Sequence, residues 1–222
     1  MTQLADGIFY TVRRSDRARR VRVTVEATRG VEVVLPRRAA ERDAAAAVRE
    51  LRPWIEQRLR DVDDQRAAIA ARGDTVPYLG TTLVVVPQAG RTRVVQRDHT
   101  LMSPVGEAQT PALERWYRRM ARSEIAPRVA RAAAQLGSSY TTLSIRGQRT
   151  RWGSCSASGA LSFNWRLLLA PEPVLNYVVW HEVCHLEAMD HSPRFWALVG
   201  AHCPDHREHA AWLRRHGGTL VL

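Results

Sequence analysis

The chain has 222 residues, 45% of them hydrophobic and 25% charged, a balance that belongs to folded globular proteins and leaves out disordered and fibrous classes. Its formal net charge is +11 and all 33 basic residues are arginine, but these are spread along the chain, so the excess reads first as compositional bias, with nucleic acid or a nucleotide kept as candidate partners of a basic surface. No apolar run approaches the roughly 20 residues of a membrane span, the N-terminus lacks a signal-peptide layout, and three cysteines (Cys155, Cys184, Cys203) without a Cys-x-x-Cys fit a reducing, cytoplasmic setting rather than a disulfide framework.

Residues 8–12, 21–25 and 31–35 alternate valine with arginine, glutamate or threonine, the period-two pattern of half-buried strands. From 37 to about 72 the chain turns to alanine, arginine and leucine, with Val48, Leu51, Ile55 and Leu59 at helical spacing, so a long amphipathic helix is predicted, bent or restarted at Pro53. A strand pair comes next at 82–86 and 92–96. The polar, turn-forming stretch 98–111 then suggests a boundary, giving a β-rich N-terminal region over 1–106 and a second domain over 107–222.

The second domain opens with a helix over 112–136, with Leu113, Trp116, Tyr117 and Met120 on one face, Pro127 as a kink or break and Gly137 as its C-cap. Short strands at 141–145, 150–155 and 160–168 make a hairpin or small sheet, in which Trp152, Phe163 and Trp165 read mainly as core aromatics. Pro171-Glu172-Pro173 starts a helix that runs into Val178, Val179 and a histidine motif. The fold class is therefore α+β, and no internal repeat is visible.

The motif is H-E-x-x-H. On a helix His181 and His185 lie one turn apart on one face, so both imidazoles can reach one ion at about 2.0–2.1 Å, with Glu182 beside them to take a proton from a metal-activated water. Catalytic zinc needs a third protein ligand. His191 is preferred: if the helix ends near Met189 and Asp190, a turn through a left-handed Asp190 brings its ring back, and Ser192-Pro193 starts the next helix as N-cap and first-turn proline. Glu187, Asp190, His202 and His206 remain alternatives, and Ala188 stands where a metzincin has glycine. A helix interior flanked by Tyr177, Val178, Val179 and Trp180 would be strongly destabilised by a His-Glu-His face left without a metal. Cys155 and Cys184 read as core thiols, the remaining histidines as surface or capping residues, and Arg146, Arg149 and Arg151 as a minor candidate for holding an anion.

The stretch Arg-Trp-Gly-Ser-Cys at 151–155, the Tyr-Val-Val run before H-E-x-x-H, and His191-Ser192 followed by Phe195-Trp196 resemble the YgjP-like metallopeptidase family, relatives of the SprT-like zincins. The resemblance implies a zincin-like C-terminal domain with a small sheet over the H-E-x-x-H helix, Zn²⁺ on His181, His185 and His191, and Glu182 as catalytic base. It also implies a strand at 151–155 or 160–165 that can pair with an extended substrate. The expected activity is hydrolysis of peptide bonds in a peptide or protein substrate. Two rivals stay open: a nucleotide (UTP) pyrophosphatase, for which no Gly-rich phosphate loop is present, and a DNA- or protein-binding module with a structural metal site.

Overall fold

The computed structural model describes residues 2–26, 29–148 and 150–222, an α+β chain with three small sheets and six α-helices among those residues. It divides into two compact units, Met1–Ala71 and Arg72–Leu222. The compositional break near residue 106 and this break in packing do not coincide, because Val76, Leu83, Val85, Val94 and Leu101 share one hydrophobic core with the C-terminal helices.

In the first unit, strands β1 (Thr2–Ala5), β2 (Ile8–Ser15), β3 (Arg22–Glu26) and β4 (Gly30–Pro36) form a sheet in the order β1-β2-β4-β3, with β2 and β4 parallel. Asp6 and Gly7, both at positive φ, make the tight turn between β1 and β2, as the Asp-Gly pair favours. Val31, Val33 and Leu35 of β4 point into a core shared with Ala44 and Val48 of α1 (Arg42–Glu50) and Ile55 of α2 (Arg52–Ala70). The long helix is thus two helices. The break falls at Leu51, and Pro53 sits in the first turn of α2, where its missing N–H costs nothing.

The second unit carries a sheet of β5 (Thr75–Tyr78), β6 (Thr81–Pro87), β7 (Val95–Arg97) and β8 (Thr100–Ser103) in the order β5-β6-β8-β7, repeating the connectivity and strand directions of the first sheet. Its core is organised by α3 (Gln109–Leu136), which buries Leu113, Trp116, Tyr117, Ile125 and Val129 along one stripe. The helix runs unbroken through Pro127 and ends at Gly137, whose φ of 67° and the bond from Ser138 N to Ala133 O close it as a left-handed cap. Tyr117 donates to the Pro77 carbonyl at 2.5 Å, tying α3 to the edge strand β5.

Strands β9 (Thr142–Arg146), β10 (Gly153–Cys155) and β11 (Ala160–Asn164) form the third sheet, β10-β11-β9, with β10 at one edge. Phe163 and Trp165 are buried in the core, whereas Trp152 is only half-buried. The predicted third strand stops at Asn164, whose side chain accepts from Arg166 N and opens a 3₁₀ turn over Trp165–Leu169. Helices α4 (Glu172–Cys184), α5 (Pro193–His202) and α6 (His206–His216) complete the unit. Arg128 of α3 fixes the start of α4, reaching Glu172 Oε1 at 2.5 Å and Asn176 Oδ1 at 3.1 Å. Cys155, Cys184 and Cys203 are all free thiols. Among the described residues no helix is long and apolar enough to cross a membrane.

Candidate metal centre

Helix α4 is apolar along most of its length, burying Val174, Leu175, Val178, Val179 and Val183, and places His181 and Glu182 in its last turn. It ends at Cys184, about one turn earlier than the sequence suggested. The bonds from Leu186 N to Val183 O and from Glu187 N to Cys184 O tighten the chain into i−3 turns there. His185 occupies the C-cap with helical dihedrals, so it keeps the one-turn spacing from His181. Asp190 does not take the left-handed conformation; the non-glycine residues described at positive φ are Asp6, Leu79 and Asp98. The reversal is made instead by the tightened turn, in which His185 Nδ1–H donates to the Ala188 carbonyl at 3.0 Å. Ser192 holds the N-cap position of α5 and Pro193 its first turn, but the serine hydroxyl makes no capping bond.

These local choices bring His181, His185 and His191 together, with their ligand nitrogens within 4.8 Å of one another. His191 Nε2 lies 3.2 Å from His181 Nε2. Two nitrogens sharing one tetrahedral ion at 2.0–2.1 Å are separated by about 3.3 Å, so the spacing suits a common ion. The bond from Nδ1 of His185 to a carbonyl fixes the proton there and leaves Nε2 unprotonated, the tautomer a metal ligand requires. Nδ1 of His181 is buried without a hydrogen-bond partner among the described residues. The spacing of the three imidazoles and the preset tautomer of His185 mean that the side chains fit a divalent metal.

Burial sets the electrostatics. It depresses His181 to about 4, with further push from His185 and His191, and lowers His185 in spite of the bond to Ala188. The same burial raises Glu182 to about 7 against the opposing charge of Arg151. The Glu182 side chain lies against strand β10, where a Cβ on Gly153 would fall 2.5 Å from Glu182 Cγ and 2.6 Å from Oε1. Only glycine leaves room for this carboxyl. Phe195, fully buried, packs its ring 4.4–5.0 Å from all three histidines, and Trp196 covers His181 and His191 at 5.8 and 5.7 Å.

Of the alternative ligands, Glu187 is engaged by the Ser138 hydroxyl, His202 stacks on Trp180 at 4.1 Å, and His206 stacks on Trp196 with Nδ1 near the Cys203 carbonyl. None of these, nor Asp190, joins the cluster among the described residues. Arg146 bonds Ser144 Oγ, Arg151 is exposed beside Glu182, and Arg149 lies outside the described residues. Cys184 is buried in the core, and Cys155 is a half-buried thiol raised by burial and by Glu182. The sequence shows Gly153 and Trp196 only as parts of the family-like motifs and His206 only as an alternative ligand; that Gly153 seats Glu182 and that Trp196 packs between the histidines and His206 is seen only in the fold.

The model of the YgjP-like metallopeptidase domain matches residues 19–216. The chain belongs to the YgjP-like metallopeptidases. No curated protein matches it. Among solved structures, the metallopeptidase zymogen of Pyrococcus abyssi abylysin is similar at 22% identity and a TM-score of 0.37, over 41% of this chain and 93% of that one. For this YgjP-like metallopeptidase, the residues that match the histidine motif are those gathered at the end of α4.

Proposed function

We propose that this metallopeptidase is zinc-dependent, with His181, His185 and His191 holding the ion and Glu182 as general base, within a zincin-like arrangement of α4 under the small sheet. The observation that carries the reading is the convergence of three imidazoles beside a buried carboxyl. Three nitrogen ligands leave a fourth tetrahedral position for chemistry, the pattern of a catalytic rather than a structural site.

When bound, zinc supplies Lewis acidity that polarises a carbonyl and acidifies water. Glu182 takes the proton from the attacking water and passes it to the leaving amine nitrogen. A carboxyl that burial raises to about 7 in the metal-free protein, and that a bound dication draws lower, can accept and return a proton close to neutral pH. Gly153 seats that carboxyl, His185 is oriented through Ala188, and Phe195 supplies the apolar floor that keeps water from the buried side of the imidazoles. Strand β10 is an edge of its sheet and packs on α4, so its free backbone groups suit pairing with an extended peptide or protein substrate; β11, in the middle, does not.

The test is Glu182→Gln. The variant is expected to retain one zinc per chain by elemental analysis while losing hydrolysis of an unfolded protein by roughly 10²–10⁴-fold. Full activity in the variant removes the base assignment, and loss of zinc from it removes the separation of ligands from base.

A further inference from the structure

Trp196 has two neighbours of different kinds. It covers His181 and His191, and it also stacks on His206 of α6, with ring centroids 5.6 Å apart and planes inclined by 22°. Trp196 and His206 are walls of a pocket of ≈ 470 Å³, completed by Arg207, Ala210 and Arg214. The four α6 residues recur at three- and four-residue spacing, so one face of the helix is turned to the pocket. Ala210, between Arg207 and Arg214 in the chain, puts no more than a methyl on this wall. No carboxylate lines the pocket; Asp205, just before the helix, and Glu208 on it are exposed but do not contribute to its wall. Among the described residues neither Arg207 nor Arg214 pairs with an acid.

Burial raises the Tyr177 phenol and Arg214 opposes that rise only weakly; the Tyr177 ring, one turn before His181, contacts both His181 at 5.8 Å and His209 at 6.3 Å. Trp196 is thus shared, lining the pocket and contacting His181 and His191 of the imidazole cluster. Two arginines with no acidic partner among the described residues, in a concave site walled by aromatic rings, suit a carboxylate, which their guanidinium forks can grip through paired N–H donors.

Resting on the peptidase reading, we propose that this pocket is a substrate subsite for a carboxylate of the peptide, an acidic side chain or the C-terminus, bound by Arg207 and Arg214. Matched peptide pairs separate the two sources: glutamate against glutamine at each position around the scissile bond, and free against amidated C-termini. The zinc-loaded full chain is expected to prefer the carboxylate member by about tenfold or more in kcat/KM. Replacing both arginines (Arg207→Gln with Arg214→Gln) brings that ratio close to one, chiefly through KM, and Arg214→Glu shifts preference toward lysine. Preference within the side-chain pairs identifies an acidic residue as the bound group, and preference within the terminal pairs identifies the C-terminus. Equal cleavage of both members of every pair overturns the subsite and leaves the peptidase reading standing.

A binding measurement independent of turnover accompanies it. Calorimetric titration of zinc-loaded Glu182→Gln protein with glutarate and with pyrophosphate, each repeated with both arginines replaced, isolates the arginine-dependent affinity. Glutarate is expected to lose about tenfold or more in that comparison. If no peptide is cleaved while this arginine-dependent glutarate binding persists, the peptidase reading falls and the pocket stands as a carboxylate-binding site but not as a peptide subsite. Arginine-dependent binding of pyrophosphate in preference to glutarate overturns the carboxylate assignment in favour of a phosphate-bearing ligand.

Discussion

Glu182 is buried and His181, next to it in the chain, half-buried, and in the metal-free protein they pull stability in opposite directions as pH changes. His181 falls from an ordinary 6.5 to about 4 on folding, so between those values the unfolded chain binds a proton the folded one does not, and stability declines as pH drops through that window. Glu182 rises from 4.5 to about 7, so from 4.5 upward the folded chain keeps a proton that the unfolded one releases, and stability declines as pH climbs to 7. The two slopes offset each other between 4.5 and 6.5. Glu182→Gln removes one of them: metal-free variant protein is expected to be more stable than the parent at pH 8, by about 1–3 kcal/mol, and to lose stability more steeply below about pH 6.5. Urea denaturation at several pH values, with a chelator present, measures both, and parallel curves for the two proteins would contradict the buried ionisation. In the proposed base role of Glu182, catalysis tracks the same group with the sign of a base. Activity should rise as pH climbs through the Glu182 ionisation, and a bound dication, by favouring the carboxylate, moves that rise below 7.

Strand β10 acts on α4 through the absence of a side chain. In Gly153→Ala the new methyl would overlap Glu182 Cγ, Cδ and Oε1 at 2.5–2.7 Å, and it is the glutamate that has to move. The expected outcome is zinc content unchanged, kcat reduced by about 10²-fold through misplacement of the base, and a stability cost of about 1–3 kcal/mol. A variant with normal kcat would show that the carboxyl does not work from its seat against the strand. This glycine was visible in the sequence but its role was not, since nothing in one chain says which residue faces it across a sheet–helix contact. The helices were easier to read, because periodicity, Pro53, Pro171-Glu172-Pro173 and Gly137 are local signals and the structure keeps all of them. Strands β1, β5 and β8 escaped notice: each has only four residues, too short for alternation to register, although Asp6-Gly7 and Leu79-Gly80, with both residues at positive φ, carried the hairpin turns beside two of them. The gathering of His181, His185 and His191 was legible from spacing. The route was not, because the tightening after Cys184 depends on the His185–Ala188 bond, which the sequence does not display.

At the scale of the whole molecule, the two units have separate hydrophobic cores that share no residue. In the proposed ligand set, a metal held by residues of α4 and the turn after it would stabilise Arg72–Leu222 directly. Scanning calorimetry with and without chelator is expected to show a transition that zinc moves upward, by about 2.7 kcal/mol of stabilisation at a free concentration about 100 times the dissociation constant, and a second that it leaves in place. One transition moving as a whole would mean that the units unfold together. The three imidazoles all come from eleven consecutive residues, 181–191. So short a loop closes at little entropic cost, which allows a chain with nothing else folded to capture an ion weakly. Ion capture during synthesis can then precede the sheets, and the equilibrium gain from zinc comes out smaller than its affinity for the finished fold, because the denatured chain competes for the same ion.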